Sequence, residues 1–324
     1  MSVSVAEYLG QRTDVETPII QPVEPGSEPP CPFMGTYCPK VKKKQAPVCS
    51  VRKSDGTLWI VCPDRLCSTK KNIPKTQQPL PLSNYQKEIL HSVAKTLYGD
   101  SVPPSEIYYK REEKIEVIDG TDYRADFIMF RKHGVCFDPR RAVVEMQGGG
   151  ETSQTKNLTN HVKAFERNPE RTNQMLAQIV DGVGTIETNA WRRQQEQFIV
   201  KGNIAQQTGG QMVFCMGSLL YDYLWKRISD AKLNNLRDFN WTLALIAFVE
   251  DTSQEPQPGP IPIKIDEDRL LFTNYHTFVQ ALINQGGPSA TLFRGEFFCL
   301  DGDRINLSQQ ALGENRCCLN FKRF

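Results

Sequence analysis

The sequence predicts an α/β protein in which helices flank one central sheet. Segments typical of strands and of helices are mixed along most of the chain, and this order is typical of the α/β class. Residues 241–249 are continuously apolar, as expected of a strand buried on both faces. A chain of 324 residues can bury a full core. We predict three parts: an arm at residues 1–30, a cysteine-rich metal-binding module at 31–75, and a core at 76–324.

Composition excludes some classes of protein. No run of residues approaches the roughly 20 apolar positions needed to cross a bilayer, and the first residues lack the pattern of a secretory signal. We therefore expect a cytoplasmic protein with no membrane contact. The net charge of +2 and the pI of about 8.0 are too weak to indicate nucleic-acid binding by themselves.

The first 75 residues divide into two segments of different composition. Residues 1–30 are polar and rich in Pro, Glu and Ser, which predicts an arm with little regular structure. The next segment contains five cysteines among turn-forming residues, and in a reducing compartment this favours a tetrahedral thiolate site for zinc or iron. The alternative is that they are small buried side chains in a β-rich module. The five are Cys31, Cys38, Cys49, Cys62 and Cys67.

A linker at residues 74–81 precedes the first predicted helix. Ser83 and Gln86 have the spacing of a capping box, apolar residues follow at helical intervals, and Gly99 ends the helix. Residues 107–118 are ambiguous between strand and helix, although alternation at 114–118 favours a strand. This segment contains three acids, Glu112, Glu113 and Glu116. They could be solvated, or one of them could extend a metal site.

Two acidic strands are the strongest functional signal. Residues 125–131 and 142–146 are rich in β-branched and aromatic residues and are separated by turn formers, which predicts paired strands. Asp126 lies within the first and Glu145 in the second. A carboxylate in an apolar strand is costly to bury without a positive partner. If the strands are neighbours, both acids can share Mg²⁺, and Gln147 lies on the same face as Glu145.

This D…ExQ arrangement suits phosphodiester hydrolysis, because bound Mg²⁺ activates water and polarises the phosphate. The third position is commonly Lys in such nucleases; Gln147 can only form hydrogen bonds, so the metal would do more of the activation. Glycines at 148–150 would let a nucleic-acid backbone approach. The alternative reading has ion-paired or solvent-facing acids and a flexible glycine turn.

The remaining elements complete the α/β order. We predict strands at residues 211–216, 263–265 and 292–300, and helices within 152–181 and at 189–207, 219–228 and 276–284. Basic pairs are more often solvated than bound to phosphate. Arginine is nevertheless the side chain best matched to guanine, so candidates for DNA binding are Arg192, Arg193, Arg140 and Arg141.

Five short motifs resemble the NotI-like restriction endonucleases. They are CPF at 31–33, a cysteine followed by x-Lys at 38–40, VCSV at 48–51, LWIVCPDR at 58–65 and VVEMQ at 143–147. The resemblance implies a PD-(D/E)xK nuclease core and a structural iron held by four cysteines, for which zinc is also possible. By this resemblance the iron ligands are Cys31, Cys38, Cys49 and Cys62, and Cys67 is an additional cysteine. The resemblance assigns the catalytic roles to Asp126, Glu145 and Gln147.

The same resemblance implies an activity and partners. The expected protein is a homodimer from a restriction-modification system that uses Mg²⁺ to cut both strands of double-stranded DNA at a GC-rich palindrome. Its products would carry 5′-phosphate and 3′-hydroxyl ends. Ala125 stands where the family has proline. Two rivals stay open: a non-catalytic nucleic-acid-binding protein with a four-cysteine finger, and a repair nuclease without sequence preference.

Overall fold

The computed structural model describes residues 2–24, 26–68, 81–116, 120, 122–150, 152–284, 295–298, 300 and 304–307. The strands are β1 (Ser2–Tyr8), β2 (Gln11–Arg12), β3 (Val48–Lys53), β4 (Leu58–Ile60), β5 (Ile107–Glu116), β6 (Asp122–His133), β7 (Cys136–Gln147), β8 (Val180–Asp181), β9 (Gln211–Gly217), β10 (Leu243–Glu250), β11 (Ile263–Thr273), β12 (Gly295–Phe298) and β13 (Arg304–Leu307). The α-helices are α1 (Pro39–Lys42), α2 (Asn84–Tyr98), α3 (Thr155–Arg167), α4 (Asn173–Ala177), α5 (Glu187–Gln207), α6 (Ser218–Ile228) and α7 (Tyr275–Ile283).

The largest sheet has its described strands in the order β11-β10-β9-β7-β6-β5. β9 runs parallel to both β7 and β10, whereas the outer pairings are antiparallel. Apolar side chains of α2 belong to the core on one face of this sheet, and those of α5, α6 and α7 belong to the core on the other. The predicted α/β class, a mixed central sheet flanked by helices, is therefore confirmed.

A second sheet has the strand order β2-β1-β3-β4, and β8 also pairs with β1. Its apolar side chains share a core with α3 and α4. The prediction of an arm with little regular structure is wrong for residues 2–12, because β1 pairs with β3 and buries Val3 and Val5. Most of residues 13–30 has neither helix nor strand, as expected.

A buried ion pair joins this second sheet to other parts of the chain. The Arg65 and Glu7 side chains are both 0% exposed, with 2.9 Å between Arg65 Nε and Glu7 Oε2. Glu7 also accepts hydrogen bonds from the Ser50 hydroxyl and the Ile261 N–H. Arg65 donates to Tyr85 of α2 and to the Ile261 carbonyl. The pair therefore connects β1, β3, α2 and the loop before β11.

Most predicted elements are present with small shifts of their ends. The capping box is confirmed: Ser83 Oγ accepts from the Gln86 N–H and the Gln86 side chain accepts from the Ser83 N–H. Residues 107–116 form a strand, and the hairpin strands β6 and β7 extend through most of the predicted turn residues. The boundary at residues 75 and 76 and much of the strand predicted at 292–300 lie outside the described residues. None of the described helices is long and apolar enough to cross a membrane.

Candidate active site

The two predicted acids lie next to each other on one face of the central sheet. Phe127 of β6 pairs with Val144 of β7, so extending this antiparallel register by one residue places Asp126 opposite Glu145. Side chains alternate between faces along a strand, and directly opposed residues share a face. Three of the residues on either side of the acids belong to the core beneath α2; they are Phe127, Val144 and Met146.

Hydrogen bonds hold both carboxylates in place. Asp126 Oδ2 accepts from the Met146 N–H at 2.9 Å, and Glu145 Oε2 accepts from Lys201 Nζ of α5 at 2.8 Å. The Glu145 side chain is 8% exposed and that of Lys201 is 1% exposed. Glu145 Oε1 is buried and has no hydrogen-bond partner. One carboxylate oxygen is therefore available to bind a cation.

Burial and, next, the nearby charge of Asp126 together raise the pKa of Glu145 to about 8, although Lys201 opposes both effects. Two carboxylates that share a water-poor site repel each other when both are ionised. A divalent cation between them would relieve this repulsion. Mg²⁺ commonly binds through one or two carboxylates and keeps several waters, so this donor pair suits it.

No protein-family model matches the chain, and no curated protein is significantly similar to it. The chemistry of the site therefore rests on its own side chains. Within the described residues, no set of three or more His, Cys, Asp or Glu side chains is arranged to hold a metal ion. Two carboxylates with Gln147 beside them remain the donors that the central sheet offers.

Gln147 and one predicted arginine border the acids. Gln147 follows Glu145 by two residues on the same face of β7, and its Nε2 donates to the Gly148 carbonyl at 2.8 Å. A Cβ atom at Gly150 would lie 3.8 Å from both Gln147 Nε2 and Arg193 Nη2. The structure therefore brings Arg193 of α5 close to the candidate catalytic residues.

The other three predicted DNA-binding arginines have different positions. Arg141 is exposed and shares the face of Glu145, and Arg192 is exposed on α5. Arg140 lies on the opposite face, where its guanidinium binds Asp138 at 2.6 Å and the Leu97 carbonyl at 2.6 Å. Because these contacts direct Arg140 toward α2, it does not lie on the acidic face of the sheet.

The glycines after β7 have a different role from the one predicted. A Cβ atom at Gly149 would lie 2.4 Å from the Trp59 ring, and one at Gly148 would lie 3.0 Å from Ile60. Gly150 has φ +92° and donates its N–H to the Ile60 carbonyl at 2.9 Å. Gly148 and Gly149 are thus buried against the cysteine-rich segment, and the expectation that nucleic acid approaches them is wrong. Only Gly150 borders the candidate site.

Replacing Gly149 with Ala is expected to lower the free energy of unfolding by about 1–3 kcal/mol, because the added methyl group overlaps the buried Trp59 ring. Chemical denaturation measures the change. Gly217→Ala is the matched control: Gly217 has φ −72° and nothing lies within 4 Å of the added atom. Equal stability of the two variants would contradict the contact.

We call Cys31, Cys38, Cys49 and Cys62 the four-cysteine cluster. All four are buried. Burial raises the pKa of the Cys31 thiol to about 11, and burial also raises the pKa of Cys49 and Cys62. Cys31, Cys49 and Cys62 pack in one small core with Phe33, and Cys62 also interacts electrostatically with Cys38, but in this structure no three of these four described residues are arranged as metal ligands. Buried thiols of this kind suit a thiophilic cation such as zinc or iron.

Cys67 packs in a different core from this cluster, although burial and, to a smaller extent, the nearby Cys31 raise the pKa of its thiol. It is 0% exposed and packs in the main core with Ile60 and Leu66, whereas Cys31, Cys49 and Cys62 share a separate small core with Phe33. Lys40 lies near the cluster, because its Nζ donates to the carbonyl of Val48, the residue before Cys49, at 2.5 Å. A cation beside the thiols would partly balance the negative charge of a four-thiolate site.

Sequence reasoning missed Lys201. The sequence nevertheless contains a pattern that indicates its position. Lys201 is spaced so that it shares the apolar face of α5 with Phe198 and Ala205. A charge at a core-facing position requires a buried partner, and that partner is Glu145.

Proposed function

We propose that this protein is a site-specific endonuclease with a PD-(D/E)xK core that hydrolyses phosphodiester bonds in double-stranded DNA. The observation that carries the proposal is that Asp126, held by the Met146 N–H, lies close enough to Glu145 to raise its pKa, while Glu145 Oε1 is buried and unpartnered. The motifs shared with NotI-like restriction endonucleases support the same class of enzyme.

In this proposal Asp126 and Glu145 hold Mg²⁺, which would polarise the scissile phosphate and lower the pKa of a bound water. The Met146 N–H fixes the orientation of Asp126, and Lys201 fixes that of Glu145. Gln147 orients the attacking water through its amide. Hydrolysis leaves a 5′-phosphate and a 3′-hydroxyl.

Exposed basic residues on the acidic face support DNA as the substrate. Lys110 faces Ile128 across β5 and β6, and Ile128 is two residues from Asp126 on the same side. Arg124, Arg141 and Arg193 add positive charge on this side of the sheet or beside it. Positive charge along one face attracts the DNA backbone, and arginines near the cut can read guanine in the major groove.

A homodimer would explain cutting of both strands. Two copies related by a two-fold axis present two acidic sites to a two-fold symmetric sequence, so each copy cuts one strand. We propose a GC-rich palindrome as the recognition site, in line with the resemblance and the arginines beside the acids. The setting would be a cytoplasmic restriction-modification system.

The test is incubation of the purified protein with phage DNA and Mg²⁺. We expect discrete fragments whose ends, once sequenced, define a palindrome and the cut position. A smear would indicate a nuclease without sequence preference. Tight DNA binding with no strand scission would leave a non-catalytic nucleic-acid-binding protein.

The four-cysteine cluster is proposed to bind one structural iron or zinc ion. Elemental analysis is expected to give about one metal per chain, and a ferric four-thiolate site would colour the protein red. Cys62→Ala should lose most of the metal, because Cys62 interacts with all three other cysteines of the cluster. Cys67→Ala is the control and should keep it. Equal loss from both variants would place Cys67 among the ligands.

A further inference from the structure

The amino group of Lys201 is in an unusual environment for a lysine. Its side chain is 1% exposed, and its Nζ lies 2.8 Å from Glu145 Oε2. Removing an ammonium group from water costs several kcal/mol, and apolar replacements of buried ion pairs are often neutral or stabilising. Stability alone is therefore a weak reason for a lysine at this position.

Packing fixes α5 at the turn that carries Lys201. A Cβ atom at Gly202 would lie 2.1 Å from the Tyr275 ring, so α5 and Tyr275 of α7 approach closely only because residue 202 lacks a side chain. The Tyr275 hydroxyl donates to the Ile199 carbonyl. Phe198 packs edge-on against Phe214 of β9 on the same side of the helix. These contacts hold the Lys201 backbone in one place above the sheet.

β7 has no positive charge at position 147, where nucleases with this arrangement of acids commonly have a lysine. Gln147 is neutral, and it lies two residues from Glu145, a separation of about 7 Å along the strand. Lys201 reaches the same face of the sheet from α5 and already contacts Glu145. Resting on the proposed nuclease function, we propose that the Lys201 ammonium supplies the charge that Gln147 lacks and holds the attacking water beside the scissile phosphate.

The role is electrostatic and leaves the proton balance of hydrolysis unchanged. A bond forms from the water oxygen to phosphorus while the bond from phosphorus to the 3′-oxygen breaks. The attacking water gives one proton to solvent, and the leaving 3′-oxygen takes one from solvent. Lys201 keeps its protons and donates hydrogen bonds to Glu145 and to the water. Activation of the water would thereby be shared by the metal, Gln147 and a residue of α5.

Moving the charge tests the proposal. Lys201→Met should lower the single-turnover rate of DNA cleavage about a hundredfold, the usual effect of removing one oriented donor from a reacting centre. DNA affinity in Ca²⁺ should change little. Adding Gln147→Lys to this variant returns an amine to the face of β7, and we expect the double variant to recover about tenfold over Lys201→Met. Lys226→Met, an exposed lysine on α6, is the control.

Lys201→Gln keeps a hydrogen-bond donor for Glu145 without the charge, so it covers the case in which Lys201→Met does not fold. A folded Lys201→Gln that cuts within threefold of the wild type overturns the proposal. So does a Gln147→Lys change that gives no recovery when it is added to Lys201→Met or to Lys201→Gln. A wild-type protein that never cuts DNA would instead remove the nuclease function itself. The two failures are therefore distinguishable.

Discussion

Glu145→Gln and Asp126→Asn are each expected to lower the rate of DNA cleavage at least about a thousandfold. Each variant removes a carboxylate proposed to hold Mg²⁺, and a thousandfold loss corresponds to about 4 kcal/mol of transition-state stabilisation. Each acid supplies a separate proposed ligand to the metal, so neither can replace the other. Single-turnover cleavage of a plasmid carrying one recognition site measures the loss.

DNA binding in Ca²⁺ should persist in both variants, because the amide replacements have nearly the same shape as the acids. Asp138→Asn is the matched control: Asp138 lies in the same hairpin, binds Arg140 at 2.6 Å and shares the opposite face with it. It should cut at the wild-type rate. Wild-type cleavage by Glu145→Gln would show that the assigned acids are not catalytic.

Arg65→Met is expected to lower the free energy of unfolding by about 3–5 kcal/mol, because it leaves the Glu7 carboxylate buried without its partner. Urea denaturation followed by circular dichroism measures the change. The double variant Glu7→Gln with Arg65→Met should lose less than the sum of the two single losses, since it leaves no charge unpaired.

A surface ion pair provides the comparison for this effect. Lys42 and Glu28 lie 3.9 Å apart with side chains 58% and 61% exposed. Lys42→Met should change the free energy of unfolding by less than about 1 kcal/mol. If Arg65→Met lowers the free energy of unfolding no more than Lys42→Met does, the buried ion pair does not stabilise the fold.

Local patterns in the sequence predicted the elements that short-range physics determines. Ser83 and Gln86 identified the start of α2 because a capping box needs only four residues. Asp126 and Glu145 were found because a carboxylate is conspicuous in an apolar strand. Their positions on one face followed once the two strands were paired as neighbours in the hairpin.

Long-range contacts were the part that the sequence could not specify. The sequence did not indicate β1 because the segment from 1 to 30 is rich in Pro, Glu and Ser, and its partner β3 lies 40–50 residues along the chain. Gly148 and Gly149 were assigned to a ligand because their neighbour Trp59 comes from a different sheet. Lys201 was missed because its partner lies 56 residues away, although its place on an apolar helix face was readable.

The contact between Trp59 and Gly149 has a practical consequence for protein engineering. The strand that carries Glu145 and Gln147 ends against side chains from residues 59 and 60. A shortened protein beginning near residue 81 would lose these side chains and expose the end of the strand that carries the proposed catalytic residues. Attempts to trim the protein to a minimal folded unit should therefore retain the cysteine-rich segment, even though it supplies neither of the proposed catalytic acids.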